Sequence, residues 1–496
     1  NGSRVLIQDT TISNNIAQNN GGGISTGIGT DDFVIERTLF ENNTAANGSG
    51  GAISGLFSSL IIRDSSFLNN QTTAIGSNGG AISTSGSLVL SDSHLEGNTA
   101  FNHGGAIHLT QNATSTIQDT TLSDNNASNG SGGAIALQEQ HQLTIANSTL
   151  SNNTAAVTGG GIVNSSAALR GLNIDNSTLS SNNVAGGEGG AVLSTTGAST
   201  AIAQSTVANN TAGTTGGGIT TQVGGTLLIG NTIVAGNTAL SANDISGNIG
   251  STGYNLVQDR TGSSGYGLTD LANGLLPRLG TLTDNGGPTF THALLSGSPA
   301  IDATASALGV DQRGAVANGI RDIGAYERLP ASDFSFTAGT GQTATVATAY
   351  AHPLEVQVVD DFGVGVDNSP VDFWVRYTGP GNPYVDFTSP TTLTTDSAGR
   401  GTISFAANTV AGNVAINARP TGLTQRSAIV TNEADVAAGI IISDGNSQTT
   451  TVDTSFGSRV VAQVVDRFGN GIDNARINYS EPAVGASGSL STPFDK

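Results

Sequence analysis

The stretch STLSNNTAAVTGGGI, from Ser148 to Ile162, decides the fold. It sets a large apolar residue, Leu150, three positions before Asn153; Ala155 follows, and after a short spacer the glycines run into Ile162. The same order recurs through the first half of the chain, with its Asn at Asn15, Asn43, Asn70, Asn98, Asn125, Asn153, Asn182, Asn210 and Asn237, in steps of 27 to 29 residues. A unit this short cannot bury an apolar face alone, so a regular period of this length means that neighbouring units stack.

Within each unit an apolar run such as Thr144-Ile145 precedes the Asn step, Leu150 belongs to a second run, and a third starts at the glycines. Three short strands per unit make one coil of a parallel β-helix. Stacking at a strand spacing of about 4.8 Å turns equivalent positions into columns. Ile12, Phe40, Phe67, Leu95, Leu122, Leu150, Leu179, Val207 and Val234 form one interior column, and the glycine element that opens the third strand ends at Ile24, Ile53, Ile82, Ile107, Ile135, Ile162, Val192 and Ile219. The Asn column is the polar counterpart, its amides bonding to one another and to turn backbone. The glycines permit positive φ and leave room at the turn.

A further column stands three residues before the first apolar one: Asp9, Arg37, Asp64, Asp92 and Asp119, continued by Asn147, Asn176, Gln204 and Asn231. Carboxylates one coil apart repel by about 0.9 kcal/mol in water. Asp64, Asp92 and Asp119 therefore either splay into solvent as turn residues or share a cation, for which Ca2+ is the candidate. Arg37 is placed to neutralise Asp9 and Asp64.

Composition agrees with short strands and tight turns: of 496 residues 69 are Gly, 5% are aromatic and 11% are charged. Helix is not expected. With no Cys there is neither a disulfide framework nor a thiolate metal site. A net charge of −20 with Lys496 as the single lysine argues against nucleic acid or an anionic membrane surface as partner. No apolar run reaches the roughly 18 to 20 residues of a membrane span, so no membrane insertion is expected within this stretch. A start at Asn1 and the lack of Met read as a processed or excerpted piece.

The glycine element is literally GGAI at Gly50–Ile53, Gly79–Ile82, Gly104–Ile107 and Gly132–Ile135, and FxxN stands at Phe40–Asn43 and Phe67–Asn70. These repeats resemble those of polymorphic outer-membrane proteins, autotransported bacterial surface proteins with β-helix repeats; other coils carry Ile, Leu or Val in place of Phe. From about 241 to 330 the period fades into GNTIVAGNTA, LGTLTDNGGPTFTHALLSGSPAID, DQRG and RDIGAYE. This segment resembles the choice-of-anchor Q module, which implies an extracellular protein and no reaction. Physically it suits a cap over the last coil, with Asp302, Asp311, Arg313, Arg321, Asp322 and Glu327 as its salt bridges and turn caps, and a metal or ligand site as the competing role.

Beyond Leu329-Pro330, FTAGTGQTATVATAY ending at Tyr350 aligns without gaps on ISDGNSQTTTVDTSF ending at Phe456, and VVDDFGVGVDNSPVDF ending at Phe373 on VVDRFGNGIDNARINY ending at Tyr479. With TTDSAGRG and AGNVAINA, these blocks resemble bacterial immunoglobulin-like (Big-1) domains of the invasin and intimin type. Asp360 and Asp466 read as turn caps, with an interdomain Ca2+ as the competing role. The expected fold is all-β: a right-handed single-stranded parallel β-helix of about nine coils over 1–240, its cap over 241–330, an immunoglobulin-like β-sandwich over 331–435, and a second, incomplete one over 436–496.

Three function classes compete. The first is a structural or adhesive protein of the bacterial surface, a stiff stalk whose partners are surface glycans, proteins or other copies of itself. The second is a filament subunit whose unfinished ends are completed by a neighbour. The third is a polysaccharide-active enzyme, which needs carboxylates gathered on one strand face. Asp175 and Glu188 fall at different repeat positions, and His94, His103, His108 and His141 show no catalytic or zinc pattern, so no enzyme and no catalytic residue are expected.

Overall fold

The computed structural model describes residues 5–27, 30–169, 171–305, 309–376, 381–480, 483–484 and 488–489. The chain forms two compact units, one up to Pro330 and one from Ala331.

The coil around Asn153 shows how the repeat folds. In Gln142–Ala146 the alternation sends Leu143 and Ile145 inward and leaves Gln142 in solvent. Asn147, at φ +49°, turns the chain into Thr149–Ser151, where Leu150 points inward between Leu122 and Leu179. Asn152, at φ +56°, turns it again into Thr154–Ala155, and after Gly159 at φ +63° comes Ile162–Asn164. There are thus four strands per coil where three were expected. The extra one is two residues long, because a left-handed residue just before the Asn redirects the chain and leaves room for one inward side chain. That side chain is the Ala of the motif, buried at Ala45, Ala100, Ala127 and Ala155.

Stacked coils form four parallel sheets: a long sheet of 10 strands, a ladder sheet of 10 carrying Leu150, a short sheet of 8 and a glycine sheet of 10. The expected apolar columns line one continuous core from Phe33 to Val257, and Phe40 stacks on Phe67 at 4.7 Å with the rings 2° from parallel. That ring separation is the strand spacing repeated in side chains. Among the described residues none is helical.

Parallel pairing continues past 240. Ile245–Asn248, Gly250–Gly253, Leu256–Val257 and Ser263–Ser264 extend three of the sheets. The period is hidden here because the register shifts at Ile229/Gly230 and the short strand shrinks to a bridge at Thr238.

The expected cap takes a different course. Tyr266 packs against the core, its ring under Arg260 at 4.0 Å. Leu279–Thr283 and Thr291–Leu294 pair antiparallel, and the described residues of 285–327, namely 285–305 and 309–327, the arm, lie back along the outer face of the ladder sheet. The outer residues there are Thr149, Thr178, Thr206, Ile233 and Ala235, all buried by it. Hydroxyls that accept and donate to backbone, next to a small apolar patch meeting Leu294, Ile323 and Tyr326, make this flank a better seat than the coil end.

In the second unit a three-stranded sheet (Asp333–Ala338, Leu354–Val359, Arg400–Ile403) and a five-stranded one (Thr343–Thr345, Arg426–Glu433, Gly412–Pro420, Pro370–Val375, Thr392–Thr394) enclose one core. Phe334, Val356 and Ile403 meet Phe373, Ile416 and Val430 there. Gly439–Asp444 and Val461–Val465 repeat the first pair of strands in the register the sequence offset requires, Asp333 opposite Val359 becoming Gly439 opposite Val465.

Candidate functional site

The Asn column is a closed hydrogen-bond ladder. Each Nδ2 donates to the Oδ1 of the next coil's Asn at 2.8 to 3.0 Å, from Asn15 through Asn43, Asn70, Asn98, Asn125, Asn153, Asn182 and Asn210 to Asn237. From Asn43 onward the second Nδ2 hydrogen goes to a carbonyl of the preceding coil, as from Asn153 to Leu122. Each Oδ1 also accepts the backbone N–H of the Asn before it, as Asn182 does from Asn153. The last amide, on Asn237, is met at 2.8 Å by Asp244, whose carboxyl burial pushes up to about 6. Every interior amide is thereby satisfied within the ladder.

Sequence reasoning missed a second ladder. Thr38, Ser65, Ser93, Thr120, Ser148, Ser177 and Ser205 each follow the Asp/Asn column; each Oγ donates to the carbonyl two residues back and, from Ser65 onward, accepts the backbone N–H of the previous coil's member, as in Ser65 to Ser93 and Ser148 to Ser177. The signal was present: a column in which every residue carries a hydroxyl.

The Asp/Asn column itself occupies left-handed backbone throughout, with φ of +48° at Asp64, +50° at Asp92, +48° at Asp119 and +52° at Asn176. Asp and Asn tolerate this region because their short polar side chains bond locally. Arg37 joins Asp9 through two bonds of 2.7 and 3.0 Å and holds that carboxyl below its ordinary range, without bonding Asp64. The Ca2+ expectation finds no cage. Members of the column stand one strand spacing apart, so the first and third lie about 9.6 Å from each other, whereas Ca2+ gathers six to eight oxygens around one point. Among the described residues no group of three or more His, Cys, Asp or Glu converges in that way.

What the three carboxylates do share is a groove. A cleft of about 460 Å³ follows the open half of the ladder sheet, with Asp64, Asp92 and Asp119 along one edge, Ser66, His94 and Thr121 on its floor, and Pro288 of the arm at its end. His94 Nε2 lies 2.8 Å from Glu96. Nearby, burial first and then the charge of Glu96 raise the Asp124 carboxyl above its ordinary range.

The histidines are less scattered than the sequence suggests. His108 is held down to about 4, mainly by burial and further by the neighbouring His103 and His141. His141 Nε2 stands 2.8 Å from Ser115 Oγ, a pairing of the kind nucleophilic catalysis uses. Its Nδ1 meets the Thr110 carbonyl rather than a carboxylate, Ser115 Oγ already accepts the Leu88 N–H, and both side chains are buried.

In the arm, Arg313 bonds Asp311 at 2.8 Å, both fully enclosed, and stacks over Tyr326 at 3.8 Å. Asp311 also accepts the N–H groups of Ala315 and Glu327, and Asp322 those of Asp302 and Arg328. Asp302 enters this set through its N–H, and Glu327 accepts from the Asp322 N–H. In the second unit Asp360 accepts from the N–H groups of Phe362 and Val364, and Asp466 from those of Phe468 and Asn470. Burial pushes the Asp466 carboxyl up, but its bonds from Asn470, Asp435 and Phe468 prevail and hold it at about 2. Turn capping is the role both residues perform.

The family model of the Chlamydia polymorphic membrane protein repeat matches residues 9–27 and 37–56, the first two coils. No curated protein matches the chain. The matched repeat points to a surface-exposed bacterial protein, and the structural register carries the matched motif on through Asn237. No helix among the described residues is long and apolar enough to cross a membrane.

Proposed function

We propose that this chain is a non-catalytic structural and adhesive protein of the bacterial surface, in which the solenoid presents an outward polar face and the modules from Ala331 onward are spacers of the bacterial immunoglobulin-like kind. The observation that carries this reading is that the repeat matching a surface-protein family is consumed by the scaffold: its Asn, Gly and apolar positions bond and pack inward. What remains for recognition is the outer surface. The sealed position of Ser115 and His141 and the spacing of the carboxylates support the absence of turnover. The resemblance of 241–330 to an anchoring-associated module and the paired strands of the second unit fit the same placement outside the cell.

The test has two arms. Antibodies raised against residues 331–435 should label intact cells of the producing bacterium, and the purified protein should attach to host or bacterial cells. Neutral and acidic polysaccharides incubated with it should release no new reducing ends or unsaturated sugars. Steady product release would overturn the non-catalytic reading, and labelling only after cell lysis would overturn the surface reading.

A further inference from the structure

The arm shows how the ladder sheet holds a polypeptide. Over the later coils Thr149 Oγ1 donates to the Phe290 carbonyl at 2.6 Å, the Ala325 N–H donates to Thr206 Oγ1, and Arg321 Nη2 donates to Asn176 Oδ1 at 2.9 Å. The sheet thus takes backbone through its hydroxyl row and an arginine through its left-handed corner column. Among the described residues the arm's hydrogen bonds to the sheet reach no further than Asn147 and Thr149, yet the sheet continues, in unbroken register, beneath the groove.

In that open half the same two rows recur, with His94 standing between the hydroxyls of one row and carboxylates in place of Asn in the other. Hydroxyls stand at Thr121 and Ser66, in register with Thr149. At the corner, the position held by Asn176 under Arg321 is Asp119, Asp92 and Asp64, so a neutral acceptor has become a run of carboxylates. No Arg or Lys stands among the groove's lining residues to answer them, and Arg37 is bonded to Asp9. We propose that the open half of the ladder sheet binds an extended basic polypeptide segment of a partner protein, continuing the interface that the arm makes on the closed half, with its Arg or Lys side chains on Asp64, Asp92 and Asp119. A charge-assisted bond there is about twice as strong as the neutral one it replaces. The groove's lining holds no Phe, Tyr or Trp on which a sugar ring would stack, and its one ring, His94, is bonded to Glu96; a second copy of this chain would bring its own acidic excess.

This proposal deepens the adhesive reading and rests on it. The probe is a fluorescein-labelled octapeptide of alternating Thr and Arg, titrated with the whole chain at low and moderate salt and read by anisotropy; the matching Thr–Glu peptide is the control. The variant Asp64→Asn/Asp92→Asn/Asp119→Asn keeps the backbone, since Asn already serves this column at Asn147 and Asn176. An equal charge change far from the groove, Asp386→Asn/Asp453→Asn/Asp473→Asn, uses residues exposed in the second unit. The Thr–Arg peptide should bind, about tenfold or more weakly to the groove variant and within about twofold unchanged to the remote one. Absent binding, equal losses in both variants, or equal binding of the Thr–Glu peptide would overturn the proposal. Attachment to cells is scored separately. A protein that attaches to cells but ignores the peptide overturns the groove alone; one that binds the peptide in the expected pattern yet attaches to no cell supports the groove and counts against the adhesive reading.

Discussion

The side-chain amide of Asn153 donates to the amide oxygen of Asn182 at 2.8 Å across 29 residues of chain, and Asn125 donates to Asn153 in the same way. Asn153→Ala removes an acceptor from the middle of the ladder and leaves two buried donors of Asn125, its N–H and its Nδ2, unmet. Each such group costs about 1–3 kcal/mol, so the variant should lose about 2–4 kcal/mol in urea denaturation. Asn15→Ala, at the exposed end of the ladder, should lose under about 1 kcal/mol.

Gly160 and Gly197 separate crowding from backbone conformation. A Cβ on Gly160 would stand 2.4 Å from the Gly190 carbonyl oxygen of the next coil, whereas Gly197 has φ +78° and open space around it. Gly160→Ala should force neighbouring coils apart and cost about 3 kcal/mol or more, and Gly197→Ala about 1 kcal/mol. Thermal melts of the two variants check the order.

Glu327 gives the arm a pH dependence. Burial, and then the charge of Asp322, push its carboxyl up to about 7. A folded value above the unfolded one means that the stabilising proton is held fully below about pH 4.5 and lost as the pH rises through about 7. Glu327→Gln removes that loss while keeping an oxygen for the Asp322 N–H. The variant should match the parent near pH 4 and exceed it at pH 8 by on the order of 1 kcal/mol. His108, neutral and held down to about 4, acts in the opposite sense, its contribution falling as the pH drops below about 6.5 in both proteins.

Gln312 pins the arm to the ladder sheet. Its Nε2 donates to Thr149 Oγ1 at 2.9 Å and to Thr289 Oγ1 at 2.8 Å, and its Oε1 accepts from Thr178 at 2.7 Å. Gln312→Ala should leave the coils intact and loosen the arm, so limited proteolysis should cut within 285–327 several times faster than in the parent while the far-ultraviolet spectrum is unchanged.

Because the Asp column works as turn chemistry, added Ca2+ or a chelator should leave the melting temperature within about 1 °C. A shift of several degrees would place ions on Asp64, Asp92 and Asp119 after all.

The solenoid was legible because its information is local and repeated. Leu150, Asn153, Ala155 and Gly160 each recur at a fixed place in the coil, and stacking turns a place into a column. The fourth strand was not legible, since two residues carry no periodicity of their own; only the left-handed turn at Asn152 reveals that the chain changes direction there. The hydroxyl ladder from Thr38 to Ser205 was visible as a pattern, but Ser and Thr are common enough in turns that the pattern alone does not announce hydrogen bonds. The groove was half legible: the carboxylate edge stood in the sequence, and the wall at Pro288 did not.

The repeat of Asn, Ala and glycines was sufficient by itself to determine an all-β coil with parallel sheets, an apolar interior and a polar amide column, because each requirement is met by residues within one coil of each other. The amino-acid order after 264 determined a non-repeating segment dense in charge, but neither the burial of those charges nor where the segment goes. Only the tertiary structure decided that Thr149 and Thr206 bond the backbone, and Thr178 the Gln312 side chain, of a segment more than a hundred residues later. That choice depends on two surfaces meeting, and neither carries the other's pattern. It also covers one half of the ladder sheet and leaves the other open beside Asp64, Asp92 and Asp119.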